Sequence, residues 1–453
     1  MAEIRLTKKA CTVNPLKMSQ PIGAALAFLG VDRCLPLLHG SQGCTAFGLV
    51  LFVRHFRETI PLQTTAMNEV TTILGGLENI EAALVNIHKR AQPAVIGLCS
   101  TGLTETKGDD VAGFLKLIRK RHPEFADMEV VFVSTPDYKG GFQDGWGAAV
   151  KGMIEQIARP STVRRPWQVN ILPGCHLTPG DIEEVRDIVA AFGLYPVILP
   201  DISGSLDGHV PETFLPTTLG GTRVEDMRKL GEAALSIAIG EQMRPAAEAL
   251  QRIAKVPYRL FDTLTGLAAS DDFMALLAEL SGNAVPARYK RQRSQLQDAM
   301  LDAHFHFGRQ KIAIAAEPDL LYALSCWFAD MGAEIHCAVT TTPSPLLERL
   351  PCAEVLIGDL EDFERAALGA DLLVSHSHAR QAAERLRLPL YRAGLPIFDR
   401  LGAAQRVSVG YRGTCQRIFE VANLFMAEHG EFPSLIPTQE ASHAHAAPPV
   451  HRH

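Results

Sequence analysis

No apolar run in this sequence approaches the roughly 18 residues of a membrane-spanning helix. The longest candidates, Pro21–Val31 and Ala46–Val53, fall well short. Pro21–Val31 has Lys8, Lys9 and Lys17 ahead of it, as the core of a secretion signal would. No small-residue cleavage site follows, and Asp32-Arg33-Cys34 comes next, so it reads as a buried helix. These absences predict a cytoplasmic chain with no membrane partner. An excess of one charge is also missing. The 44 basic and 50 acidic residues leave a formal net charge of −6 with no dominant basic block, which argues against nucleic acid as a partner. Glycine and proline, at 36 and 28 residues, sit near average and exclude collagen-like and linker-rich classes. The cysteines number nine, are scattered, and include no C-x-x-C pair, so a disulfide framework is excluded as well.

What is present is an ordinary globular composition, 47% hydrophobic and 21% charged, in 453 residues, enough for about three domains. Short β-branched runs alternate with helical stretches. Ala94–Leu98, Val130–Val133, Val169–Leu172, Pro196–Leu199, Ile312–Ala315, Glu334–Val339, Val355–Ile357 and Leu372–Val374 are each apolar on both faces and followed by a polar or Gly/Pro break. That is the pattern of parallel strands buried between helices. The expected fold class is α/β, with three doubly wound Rossmann-like domains of mostly parallel sheets flanked by helices. The breaks place them at 1–162, 163–308 and 309–436. A polar tail at 437–453 carries His443, His445, His451 and His453. It reads as disordered, without fixed geometry for a metal. The basic stretch Arg288–Asp298 continues into Met300, Leu301 and Phe305 at helical spacing and reads as a solvated helix face.

Four segments carry residues suited to chemistry. His39-Gly40-Ser41-Gln42-Gly43-Cys44 follows a buried strand, Leu35–Leu38, and precedes a helix from Thr45. In open α/β sheets, ligands sit outside the carboxyl ends of the strands. Two glycines let the backbone turn sharply beside a ligand, and Gly43 is expected to have no room for a β-branched side chain. Exposed N–H groups at a helix start put positive potential on a nearby thiol, and thiolates are what iron–sulfur clusters need. On spacing alone, a loop cysteine without a ligand remains the simpler reading of Cys44. Ser100–Glu105 and Gly108-Asp109-Asp110 lie near another strand end but lack the phosphate-loop spacings, so Asp109-Asp110 reads as helix capping and charge. Gly394–Arg400 (GLPIFDR) reads as an ordered, buried loop in which Asp399 and Arg400 could pair. His376 and His378 can converge on a ligand, but no acid sits beside them, so a satisfied or exposed pair is expected. No nucleophile–base signature is present, and no catalytic residue is assigned.

Taken in order, Ser19–Ala24 (SQPIGA), Leu38–Cys44 (LHGSQGC), Arg54–Glu58 (RHFRE), Gly108-Asp109-Asp110 and Gly394–Arg400 resemble the β-side of the nitrogenase component 1 family, over about Pro15–Phe425. In the family's catalytic β-subunit three cysteines help hold an eight-iron cluster. Ser19, Cys44 and Gly102 stand at those positions here. One soft ligand cannot hold that cluster's share of iron. It can supply one corner of a [4Fe–4S] cluster whose other ligands come from a partner chain. The resemblance therefore implies a cofactor-assembly scaffold subunit more than an enzyme by itself. It would join a NifE-like sister subunit in an α2β2 heterotetramer and share a [4Fe–4S] cluster through Cys44. The complex would hold a transient iron–molybdenum cofactor precursor during insertion of molybdenum and homocitrate. NifB would supply the precursor, the iron protein NifH would dock, and nitrogenase component 1 would receive the product. Two rival expectations are a β-type subunit of a nitrogenase-like reductase, and a structural partner in which Cys44 touches no cluster. Gly174-Cys175-His176 matches no cofactor ligand of the family.

Overall fold

The computed structural model describes residues 1–429 apart from Lys8, Ala10, Cys11 and Pro211. The expected histidine-bearing tail at 437–453 lies outside the described residues, as does the end of the expected third domain. The chain opens with β1 (Glu3–Leu6), then forms β2 (Cys34–His39), β3 (Gln63–Thr64), β4 (Val95–Ser100) and β5 (Glu129–Val133). A second group is β6 (Arg165–Pro173), β7 (Tyr195–Ile198), β8 (Ala233–Ile239) and β9 (Tyr258–Phe261). A third is β10 (Lys311–Ala316), β11 (Glu334–Thr340), β12 (Glu354–Ile357), β13 (Leu372–Ser375) and β14 (Leu390–Arg392). They build three sheets, ordered β3-β2-β4-β5, β7-β6-β8-β9 and β1-β12-β11-β10-β13-β14. The strand pairs are parallel, from Cys34↔Val95 in the first sheet to Leu373↔Leu390 in the third. Parallel strands need crossovers, and helices between successive strands supply them. The expected α/β class with parallel sheets is what forms. The runs CLPLLH of β2 and VIGLCS of β4 are buried at every position, as apolar runs between two helical layers must be.

Several strands carry no comparable sequence signal. β8 (AALSIAI) is rich in alanine, a helix former, and β9 has Arg259 at its middle. β1 is exposed at all four positions and does not join the sheet of its neighbours in sequence. It adds to the outer edge of the third sheet, Glu3 opposite Glu354 through Leu6 opposite Ile357. Lys9 then seats its ammonium among Asp359, Glu361 and Asp362 at 2.7–2.8 Å. Among the described residues, no helix is long and apolar enough to cross a membrane.

The centre of the molecule is α1 (Gln20–Leu29), buried at all ten positions. It packs on the helix Phe142–Ile157 through two glycines. A Cβ added to Gly23 would stand 1.8 Å from the Phe142 carbonyl oxygen, and one on Gly145 would stand 1.9 Å from that of Gln20. The two backbones are therefore in direct contact. On its other side the Phe28 ring lies against Gly97 of β4, where a Cβ would meet it at 2.2 Å. The helix Phe142–Ile157 reaches both other sheets. Trp146 donates from Nε1 to the Pro173 carbonyl at the end of β6, 2.9 Å away. Gln143 accepts from the N–H of Asp319, just after β10, at 3.2 Å. Asp319 in turn takes the backbone and side-chain N–H groups of Gln242, after β8, at 3.1 and 3.0 Å.

Backbone cannot move aside as a side chain can. Gly145→Ala is therefore expected to cost about 3 kcal/mol, the upper end for overpacking, read as a lower urea midpoint at unchanged m-value.

Candidate functional site

The carboxyl ends of β2, β4 and β5 form one ledge. The carbonyl of His39 accepts from Thr101 Oγ1 and Thr104 Oγ1 at 2.9 and 3.1 Å. Thr135 Oγ1 donates to the Ser100 carbonyl at 2.6 Å. The N–H of Gly102 donates to Asp137 Oδ2 at 3.0 Å. The turn after β2 is thus tied to the turn after β4, and that to the turn after β5. Gly40 is the tight position. A Cβ there would lie 2.5 Å from Thr101 Oγ1. At Gly43 a Cβ would meet only Ser41 Oγ, at 3.9 Å, and the residue is exposed on the first turn of a helix. The expectation that Gly43 has no room for a branched side chain is corrected. The sharp turn falls at Gly40, and Gly43 is already helical.

That helix, α2 (Gln42–Phe56), is capped by extended Ser41. Cys44 is half-buried in its first turn, with Sγ 3.6 Å from Ser41 Oγ. Phe47 and Val50 follow at the i, i+3 spacing that shares a helix face, and are 64% and 56% exposed. The neighbouring α3 (Glu69–Leu74) packs against the helix that begins at Gly102 and exposes Val70 and Ile73. Ser19 caps α1, and Gly102 opens the helix Gly102–Lys107; neither carries a thiol. Cys34 and Cys99 are fully buried in the core, and that burial pushes both thiols far above their ordinary range. Among the described cysteines, Cys44 is the one presented at this ledge.

Beneath the ledge lies a buried polar group without a marked sequence signal. His39 Nδ1 bonds Thr65 Oγ1 at 2.9 Å, and its Nε2 lies 3.5 Å from Asp109 Oδ2. Lys107 Nζ is 3.4 Å from Asp109 Oδ1. Burial pulls His39 below its ordinary value against the opposing pull of Asp109. Of the Asp109-Asp110 pair, only Asp110 caps a helix, accepting from the Gly113 N–H at 2.9 Å. Asp109 turns inward. The sole signal in the chain was its place two residues after Lys107.

The far end of α2 meets the 394–400 loop. His55 Nδ1 accepts the Ile397 N–H at 2.9 Å, and Arg57 donates to the Phe398 carbonyl at 3.3 Å. The Arg54 guanidinium covers the Phe398 ring at 4.0 Å. Asp399 pairs with Arg392 at 2.7 Å, not with the adjacent Arg400, because Arg392 on β14 lies across the turn. Burial alone would raise the Asp399 carboxyl. Hydrogen bonds from Arg392 and Ser377 outweigh it and hold the group at about 2. The His378 ring lies tilted against Phe398, 5.3 Å between centroids, and His376 reaches the Leu16 carbonyl at 3.4 Å. Neither belongs to a ligand cluster. Among the described residues the one metal-type cluster is Asp359, Glu361 and Asp362, already occupied by Lys9.

The family model for "Nitrogenase component 1 type Oxidoreductase" matches residues 19–426. The chain is 59% identical to the nitrogenase iron–molybdenum cofactor biosynthesis protein NifN of Bradyrhizobium diazoefficiens, over 95% of this chain and 93% of that one. It is 42% identical to the NifN of Klebsiella pneumoniae, over 95% and 94%. A solved structure titled "Nitrogenase Cp1 at pH 6.5" superposes with TM-score 0.89 at 30% identity, covering 93% of this chain and 95% of that one. A chain of "Nitrogenase Cp1 at pH 5", 14% identical, shares the fold with TM-score 0.70 over 93% of this chain and 91% of that one.

Gly40→Ala is expected to cost about 1–3 kcal/mol by overpacking the ledge. Gly43→Ala is expected to be neutral or stabilising by up to about 1 kcal/mol, since alanine suits a helix better. Equal costs in paired denaturation curves would overturn the assignment of tightness to Gly40. Asp399 supplies a pH test. Its folded-state value lies below the ordinary 3.8. Its contribution, about 2 kcal/mol, is therefore complete above that value and lost as pH falls through about 2. The stability gap between wild type and Asp399→Asn is expected near neutral pH and should shrink steadily below about pH 4.

Proposed function

Because the chain belongs to the nitrogenase component 1 family and, within it, to the NifN cofactor-biosynthesis group, we propose that it is one half of a scaffold on which the iron–molybdenum cofactor is matured. In this reading it pairs with a NifE-like sister subunit in an α2β2 heterotetramer in the cytoplasm. The cargo is a cofactor precursor made by NifB, which gains molybdenum and homocitrate with the iron protein NifH docked. The product passes to nitrogenase component 1. Cys44 is this chain's ligand to a [4Fe–4S] cluster shared with the sister subunit. The three sheet groups act as three α/β domains, the first of which carries that site.

One observation carries the reading. Cys44 stands at the head of an uncovered apolar stripe, with Phe47 and Val50 exposed along the same face of α2. Contiguous exposed apolar surface marks interaction sites, and a second chain seated there would cover the stripe and meet the thiol. The donor set fits this arrangement. One thiol with a hydroxyl at 3.6 Å suits one corner of a four-iron cluster and falls short of a whole one. When bound, such a cluster supplies one-electron transfer. This chain's part is to hold Cys44 on a rigid ledge, since Gly40, Thr101 and Thr104 lock the turn before α2.

Anaerobic co-purification with the sister chain, followed by iron analysis and low-temperature EPR, tests the assignment. A reduced four-iron signal is expected in wild type and should be lost or altered in Cys44→Ser, with the fold retained. Identical iron content and spectra in both would overturn the ligand role and leave a structural partner. Eight irons per cluster would favour a catalytic subunit instead.

A further inference from the structure

A small chamber of about 60 Å³ lies where the three sheet groups meet, between the last turn of α2, the turn Cys175–Pro179 and the 394–400 loop. Arg417, on the helix Gly410–His429, lines it and is only 6% exposed. Its Nε has no partner, and Nη1 reaches only Thr265 Oγ1 at 3.5 Å. The Trp327 ring stands 5.5 Å from Cζ. Among the described residues no carboxylate lies within ion-pair distance of it. An arginine keeps its proton in a protein, and a buried guanidinium whose N–H donors are unmet is unfavourable.

The rest of the lining does not bond those donors. It includes no aspartate or glutamate. Arg406 adds a second guanidinium, already paired with Glu420 at 2.9 Å. Burial holds His55 and His176 neutral, at about 4 each, and pushes the Cys175 thiol and the Tyr391 phenol upward, so neither becomes an anion. The buried Asp181 lies close enough for the Arg417 charge to favour its ionised form, but its oxygens are taken by the N–H groups of Thr178, Ser408 and Val409 and by the Ser408 hydroxyl, so it balances the charge at a distance and leaves the guanidinium N–H groups unbonded. The chamber does offer donors. His55 accepts the Ile397 N–H at Nδ1, so its proton is on Nε2, and His176 Nδ1 is unpartnered.

We propose that this chamber holds a small inorganic anion hydrogen-bonded to the Arg417 guanidinium. Its volume is far below the roughly 300 Å³ at which sites for organic cofactors begin, so the ligand is a halide or a single tetrahedral oxyanion. The larger cavity next to it, about 480 Å³, shares His55, Phe56 and Ala403 with the chamber and is the route of entry. This inference does not depend on the role of Cys44.

Crystals of the full-length chain, alone or with its sister subunit, soaked separately in bromide and in selenate, test it by anomalous scattering. A peak within hydrogen-bond reach of the Arg417 guanidinium is expected for at least one ion. Bromide alone identifies a halide site, and selenate an oxyanion site. Arg417→Met removes the charge and is expected to abolish the peak. Thr265→Asp places a carboxylate beside Nη1 that bonds the guanidinium from within and is expected to abolish it too; because it gives up the Thr265 bond to the Ser408 carbonyl, retention of the fold is checked in the same crystals. No peak for either ion in wild type, or a peak that survives in both variants, overturns the proposal.

Discussion

Two glycines let α1 and the helix Phe142–Ile157 meet backbone to backbone, and the other parts of the molecule take their positions from that contact. Gly23 and Gly145 each leave room for the other helix's carbonyl. At such a distance no side chain can intervene, so the crossing has little freedom. From it, Phe28 reaches the first sheet, Trp146 the second, and Gln143 the third through Asp319. The same crossing sets where α1 begins, and therefore where Ser19 stands relative to the ledge.

The ledge and α2 extend this order to the surface. Side-chain hydroxyls of Thr101 and Thr104 close on the His39 carbonyl, so the turn that leads to Cys44 is held by hydrogen bonds from a neighbouring strand end. At about 1.5 Å per residue, α2 is a rod of about 20 Å between Cys44 and the 394–400 loop. Its two ends meet different surroundings. The first is presented outward beside exposed Phe47, and the second is fastened by His55, Arg54 and Arg57 to the loop around Phe398. The two motifs most distinctive in the chain, 39–44 and 394–400, are thus joined by one helix although 350 residues separate them.

Much of this could be read from the amino acids. Doubly buried strands announce themselves as unbroken apolar runs, and β2, β4, β5 and β10 fall where those runs lie. The apolar stretch from Pro21 became α1, buried on every side. What escaped reading depended on partners distant in sequence. β8 and β9 are strands because β6 lies beside them, not because AALSIAI or YRLF is distinctive. Asp399 chose Arg392 over its neighbour Arg400 because β14 brings Arg392 across the turn. His39 and Asp109 meet only when the segment before the helix Val111–Arg121 folds under β2. Gly43 looked like a turn glycine, yet the turn was complete one cap residue earlier.

The placement of β1 has a consequence for how the polypeptide is made. It pairs with β12, some 350 residues later, and Lys9 closes on three acids just beyond β12. An unpaired β12 edge would invite strands from other chains. During synthesis, β1 leaves the ribosome long before its partner exists, because β12 ends only at Ile357 of the 453 residues. The third sheet is therefore completed by an early-made strand in a late step. A chain that ends before β12 leaves β1 without a partner and β11 as the open edge of the third sheet.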